Sequence, residues 1–299
     1  MREDTIPLSL PDPAIDAVGS WFRLASRDLP WRDPSASPWA ILVSEIMLQQ
    51  TPVARVLPRW IAWMGRWPDP ASLAEAPTAE VLRAWDRLGY PRRALRLQEC
   101  ARAIVREHGG RVPPHLEELR ALPGIGEYTA AAVMAFAFGG RAAVADTNIR
   151  RVLVRTLQGQ ERPAPSYTAS ERALVTATLP ADTARSVLWN QSVMELGAIV
   201  CTARSPLCQD CPLADDCLWL RRGRPAADAE QPRRIQRFEG TDRQLRGMMM
   251  ARLRESDVVA EEELLSLDAE DPVRSRRCLD SLLADGLAER SATMIHLPA

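Results

Sequence analysis

Apolar residues recur three and four positions apart along most of the chain up to residue 198, and glycine and proline are scarce inside those stretches. That is the helical period. It predicts helices over 13–27, 38–50, 52–65, 71–75, 78–88, 92–108, 115–121, 127–138, 147–157, 168–178 and 187–198. Turn signals separate them at Trp67-Pro68-Asp69-Pro70, Gly109-Gly110, Pro123-Gly124, Gly139-Gly140 and Arg162-Pro163-Ala164-Pro165. After Cys217 the composition changes to Arg221-Arg222-Gly223-Arg224-Pro225 and Gln231-Pro232-Arg233-Arg234, which reads as a linker over 221–239. Beyond it, 242–255, 260–267 and 272–287 read as three short helices before a strand or hairpin over 288–297. That order suits a small winged-helix-like module, and the fold class expected is all-α.

The chain has 299 residues, 46% apolar and 26% charged, with no apolar run near the length of a membrane span. Met1 to Asp12 carries acids and prolines rather than a basic stretch before an apolar core, so no secretory signal is expected and the setting is the cytoplasm. A net charge of −1 gives no global sign of a polyanionic partner. The distribution is uneven, however. Val81 to Arg111 holds eight arginines against Asp86, Glu99 and Glu107, whereas Glu255 to Asp271 holds eight acids and no base. A charge run is ordinarily a solvated face, and DNA contact is the alternative. All 38 basic residues are arginine.

Four of the six cysteines, Cys201, Cys208, Cys211 and Cys217, are spaced C-x6-C-x2-C-x5-C. Four thiols so close in a reducing compartment point to a metal centre. Zinc is one reading. The single short C-x2-C unit favours an iron–sulfur cubane, which accepts four separate thiolates from one loop. Cys100 and Cys278 lie on predicted helices and read as small buried hydrophobes.

Leu122-Pro123-Gly124-Ile125-Gly126 falls between two predicted helices, where two glycines allow a tight turn with free N–H groups at a helix start. Such groups bind phosphate without regard to base, although an ordinary αα-hairpin reads the same way. On the helix predicted over 38–50, Glu45 shares a stripe with Ile41 and Leu48, so its carboxylate faces apolar surroundings that would favour the neutral acid. The bland reading is a solvated glutamate. Asp146 stands where an extended stretch becomes a helix, as an N-cap would. A paired acid and anion are nonetheless what N-glycoside hydrolysis needs, one protonating the leaving base and one stabilising the sugar cation.

Together these segments resemble the MutY branch of the endonuclease III superfamily of helix-hairpin-helix DNA glycosylases, over about residues 14–220. The resemblance implies a 4Fe-4S cluster on Cys201, Cys208, Cys211 and Cys217, with loop residues such as Arg204 near phosphates. It implies that Glu45 is the general acid at adenine N7, that Asp146 stabilises the sugar cation and activates water, and that Asn148 orients Asp146. Leu122–Thr129 matches the hairpin, so Pro123, Gly124, Ile125 and Gly126 are expected at DNA and Tyr128 at the catalytic position. Arg27, Trp31 and Arg32 match a pocket-lining segment, and Glu195 an acidic residue near the flipped base. Tyr90 matches a wedging tyrosine, and Gln49, Gln50 and Thr51 fall at the opposite strand.

The implied architecture is two-lobed: a six-helix barrel over 35–150, and a cluster lobe made of 14–34 with 151–220. A disordered N-terminus over 1–13, the linker and a winged-helix-like module over 240–299 complete it. The implied partner is double-stranded DNA with adenine opposite 8-oxoguanine or guanine, bound by a monomer, with no membrane. An endonuclease III-like glycosylase-lyase is the nearest rival. That chemistry needs an amine nucleophile, and Tyr128 stands where the lyases carry lysine. A non-catalytic iron–sulfur DNA-binding protein is the rival from another class. His108, His115 and His296 do not cluster with acids, which disfavours a metallohydrolase. The C-terminal module does not match the Nudix-like domain with which many MutY proteins read 8-oxoguanine.

Overall fold

The computed structural model describes residues 9–226 and 238–299. Fifteen α-helices are placed in these residues: α1 Asp12–Ala25, α2 Pro38–Leu48, α3 Val53–Arg66, α4 Pro70–Ala74, α5 Thr78–Trp85, α6 Arg92–His108, α7 Leu116–Ala121, α8 Glu127–Phe138, α9 Thr147–Leu153, α10 Ala169–Ala177, α11 Thr183–Ile199, α12 Leu218–Arg221, α13 Asp242–Glu255, α14 Glu261–Leu265 and α15 Pro272–Ala284. Strands β1 Val259–Ala260, β2 Glu289–Ser291 and β3 Met294–His296 form one antiparallel sheet in the order β1-β3-β2. The elements are punctuated by local chemistry. Asp69 and Thr168 close capping boxes at α4 and α10, and Asp182 caps α11 by accepting from the Arg185 amide at 2.8 Å. That cap starts α11 four residues before the expected 187.

By their contacts the residues fall into two units. Of the described residues, the first takes those up to 41, 114–116 and those from 126 to 226. Its core draws Ala14 and Val18 of α1, Ala131, Ala132 and Ala135 of α8, Ile149, Val152 and Leu153 of α9, and Trp189, Val193 and Leu196 of α11. Helices α8 and α9 both contribute to this core, and α8 is small and apolar on every side. Residues 1–8 of the expected disordered N-terminus lie outside the described residues. Leu10, by contrast, is buried in the core and α1 begins at Asp12, so the fold starts earlier than residue 14.

Of the described residues, the second unit takes 42–113, 117–125 and 238–299. Its centre is apolar: Leu73, Val81, Leu82, Trp85, Leu97, Ala101 and Ile104 from α4, α5 and α6 are buried, and Trp63 meets Trp67 and Trp85 edge-on. The buried Gln98 amide is satisfied by the carbonyls of Ala76 at 2.7 Å and Leu73 at 3.3 Å. Helices α13, α14 and α15 with the sheet form the winged-helix-like module, and β2 and β3 make the hairpin expected over 288–297. The two-residue β1 was not anticipated; it pairs Val259 with Ile295 of β3. The module joins this unit through Arg83–Asp257 at 2.9 Å and Arg92–Asp285 at 3.2 Å. Part of the expected linker, 227–237, lies outside the described residues.

Candidate active site

Helix α2 carries Glu45 in the second unit. Ser37 starts the helix, its hydroxyl accepting from the Ala40 amide at 3.2 Å. The sequence is apolar all round, and Leu42, Val43, Ser44 and Met47 are fully buried, so no face is left for solvent. Glu45 is 5% exposed. Its bland reading as a solvated surface glutamate is thereby removed.

The C-terminal end of α2 would leave orphan carbonyls. Arg93 of α6 covers them, donating from Nη1 to Ile46 O at 2.9 Å and Met47 O at 3.1 Å, and also to Gln49 O. Its Nη2 donates to Thr51 Oγ1 at 2.9 Å and Gly89 O at 3.1 Å, and the Thr51 hydroxyl donates to Leu88 O at 3.2 Å. The guanidinium lies 5.2 Å from the Trp85 ring centre and 5.6 Å from that of Tyr90, and burial pulls it down to about 10. Gln50 and Tyr90 both sit in the left-handed region, at φ 55° and 49°. Sequence reasoning singled out Gln49, Gln50, Thr51 and Tyr90 but missed the arginine that joins the end of α2 to the Leu88-Gly89 turn. No local signal marks it, since Arg93 is one of several arginines on an amphipathic helix.

The hairpin follows α7. Ile125 N donates to Leu122 O at 3.2 Å, and Gly126 precedes α8 in an extended conformation. Only one of the two glycines takes the left-handed region: Gly124 at φ 78°, where an added Cβ would stand 3.0 Å from Arg96 Cβ. Gly126 has φ −88° and open space around it. Gly124→Ala is therefore expected to cost about 1–2 kcal/mol in chemical denaturation, and Gly126→Ala close to nothing. Equal losses at the two positions would contradict this reading of the turn.

Asp146, in the first unit, is the N-cap of α9. Its Oδ1 accepts from the Ile149 amide at 2.6 Å and its Oδ2 from Asn148 Nδ2 at 2.8 Å. Burial pushes the carboxyl above the usual aspartate range, against the downward pull of those hydrogen bonds and of Arg151. Asn148 in turn accepts from Arg151 Nη2 at 2.8 Å, and Arg151 donates to the carbonyls of Gly197 and Cys201. Gly197 has no room for a side chain, since a Cβ there would fall 2.7 Å from Asn148 Cβ. The expected N-cap and the expected Asp146–Asn148 pair are thus both present. Arg151 and Gly197 were missed; the buried arginines 151 and 155, one helical turn apart, were the readable trace. Tyr128 is partly buried against the core of this unit.

Glu195 on α11 is fully buried and accepts from Arg27 Nε and Nη2, both at 2.7 Å, from the Arg27 amide at 3.0 Å and from Arg32 Nη2 at 2.8 Å. Burial alone would raise its pKa, but the two guanidinium groups hold it at about 2. Trp31 between them is buried. The structure thus assembles Arg27, Trp31, Arg32 and Glu195 as one cluster whose carboxylate is spoken for by its own chain.

Cys201, Cys208, Cys211 and Cys217 line one small cavity with Val152, Val200 and Leu220. Arg155, 1% exposed, stands beside it, with Nη1 3.3 Å from Cys201 Sγ and its guanidinium 4.5 Å from the Trp219 ring centre. Burial pushes the Cys211 thiol up to about 12 and raises Cys217 as well, and neighbouring thiolates add to both. Four thiolates can share this cavity only around a strongly cationic group. The four thiols stand around this one small cavity, and a cubane would be held by thiolates from one such loop.

Among the described residues no helix is long and apolar enough to cross a membrane. Over residues 43–177 the sequence matches the HhH-GPD superfamily of base excision DNA repair proteins, and over 201–217 the iron-sulfur binding domain of endonuclease III. A curated adenine DNA glycosylase of Mycolicibacterium smegmatis is 51% identical across 91% of this chain and 92% of its own length. One of Mycobacterium tuberculosis is 47% identical across 96% of each. A solved thermostable thymine-DNA glycosylase superposes with a TM-score of 0.60 at 29% identity, covering 70% of this chain and 95% of its own. By these likenesses the chain belongs to the adenine DNA glycosylase family of the HhH-GPD superfamily, with a 4Fe-4S cluster on its four clustered cysteines.

Proposed function

We propose that this protein removes adenine mispaired with 8-oxoguanine or guanine from duplex DNA by hydrolysis, acting as a monomer and leaving an abasic site. The observation that carries the reading is the burial of Glu45 on a helix with no solvent face. A carboxyl group in such a place serves a proton transfer better than it serves stability. The likeness to curated adenine DNA glycosylases supports the choice of base.

The target nucleotide must leave the stack, because its glycosidic bond is out of reach inside a duplex. Glu45 then delivers its proton to adenine N7. The C1′–N9 bond breaks, its electron pair leaves with the purine, and positive charge develops on the sugar. Asp146, held by Ile149 and Asn148, stabilises that cation and takes a proton from the water whose oxygen bonds to C1′. Tyr128, Arg27, Trp31 and Arg32 shape the pocket in this reading, with Glu195 fixing the two arginines. The Gly124 and Gly126 amides of the Pro123–Gly126 turn grip phosphate, and Gln49, Gln50, Thr51 and Tyr90 face the strand opposite the adenine. The cluster, when bound on its four cysteines, supplies a rigid, redox-active anchor for its loop.

The test is a single-turnover assay on duplexes with adenine opposite 8-oxoguanine, guanine, cytosine and thymine. Adenine release is expected opposite the first two, with strand breaks appearing only after alkali. No base release from any of these duplexes would overturn the proposal. Efficient borohydride trapping of an enzyme–DNA adduct would overturn its hydrolytic, lysine-free mechanism, since the chain has no side-chain amine to form one.

A further inference from the structure

Within the second unit, a groove of about 950 Å³ runs between the loop that carries Tyr90 and helix α13 of the C-terminal module. Its floor is apolar, including Leu88, Met250, Leu282 and Leu287. Its walls are not. Arg55, Arg87, Arg92, Arg243, Arg246 and Arg254 all line it.

Some of these arginines hold the fold together. Arg92 and Arg246 share Asp285, at 3.2 and 2.6 Å, and Asp86 pairs with Arg59 beside the groove. Arg55, Arg87 and Arg243 are exposed, and among the described residues none of the three has a carboxylate partner. Of the residues that line the groove six are arginine and one, Asp86, is acidic, in a chain whose net charge is −1. The Arg243 guanidinium also stands over aromatic rings, 4.7 Å from the centre of Tyr90 and 5.9 Å from that of Phe238. A seam serving only to attach the module would not leave three cations unpaired at its mouth.

We infer that this groove is a binding site for one DNA strand, in which Arg55, Arg87 and Arg243 meet phosphates while the Tyr90–Arg243 stack meets a base. Interleaved arginines and aromatic faces along a channel are the chemistry that holds a nucleic-acid backbone. The C-terminal module thereby becomes part of the DNA-binding surface through α13. The strand concerned is the one opposite the adenine, because Gln50 and Tyr90 line the same groove; this step rests on the function proposed above.

The experiment uses the full chain with its cluster and measures dissociation constants over a salt series. The probe is a duplex carrying a reduced abasic site opposite guanine. The variant Arg87→Ala/Arg243→Ala is expected to bind about tenfold more weakly and to lower the slope of log K against log salt by about 2, one for each phosphate contact removed. Arg252→Ala is the control, on the same helix but away from the groove and paired with Glu263. It is expected to change neither quantity. Neutral methylphosphonate linkages in the guanine strand should lower the slope more for the unaltered protein than for the double variant, which keeps only Arg55 of the three.

A double variant with the unaltered melting temperature, affinity and slope overturns the inference, including the outcome in which the groove serves an acidic protein instead. Should the double variant lose stability, Arg243→Lys decides: it keeps the charge and must restore the slope. Failure of the functional reading looks different, since the protein would then bind the duplex yet release no adenine.

Discussion

Glu45→Gln is expected to slow adenine release by about 10²–10⁴-fold under single-turnover conditions while duplex affinity stays close to that of the unaltered protein. Glutamine keeps the size and most of the hydrogen-bonding capacity of the side chain, so α2 should hold its place. It has no proton to give to a purine nitrogen. Because Glu45 is 5% exposed on a helix whose neighbouring residues are themselves buried, solvent has little access to substitute as the acid. A glutamine variant that releases adenine at an undiminished rate would remove Glu45 from the reaction. A protein that only bound DNA would show the same affinity for both forms and no release from either.

The second large effect concerns stability. Glu195→Ala leaves Arg27 and Arg32 facing each other without the carboxylate that accepts four hydrogen bonds from them. Breaking a buried charged pair by removing one partner strands the other, and a loss of about 3 kcal/mol is expected, at the low end of such effects because Arg27 is 36% exposed. In a thermal scan this is a fall of roughly 6 °C or more. The pH dependence has a definite sign. The folded pKa of Glu195, about 2, lies below its ordinary 4.5, so the contribution is present above pH 4.5 and is lost as pH falls toward 2. The gap between the two proteins should therefore close over that window. An alanine variant as stable as the original at neutral pH would mean that the arginines find other partners.

The parts of this molecule that were legible in the sequence are those decided locally. Helix α6 has the expected bounds because Gly109 stops it in the left-handed conformation, and the hairpin follows from Pro123 and Gly124. The cysteine spacing marked a cluster loop because four thiolates crowded into one short segment repel one another unless a cationic centre holds them. What was not legible depends on distant neighbours. The five backbone carbonyls that meet Arg93 come from two segments, one 44 to 47 residues away and one four to five. Nothing in Arg92-Arg93-Ala94 announces this. Glu195 was expected near the extruded base, yet what decides its behaviour is Arg27, 168 residues earlier in the chain. The direction in which α8 packs was hidden for a related reason, since a helix apolar on all sides carries no arrow toward its neighbour.

Helix α11 and the residues just after it carry three separate obligations. Glu195 anchors the N-terminal arginines, Gly197 makes way for Asn148, and the Cys201 amide donates back to this helix at Leu196 O, 2.7 Å away. No two of these can drift independently, since a rotation that suited one would misplace the others. Sequence change in this turn is therefore expected to be nearly frozen over evolutionary time, with drift accommodated instead in the segments that merely surround it.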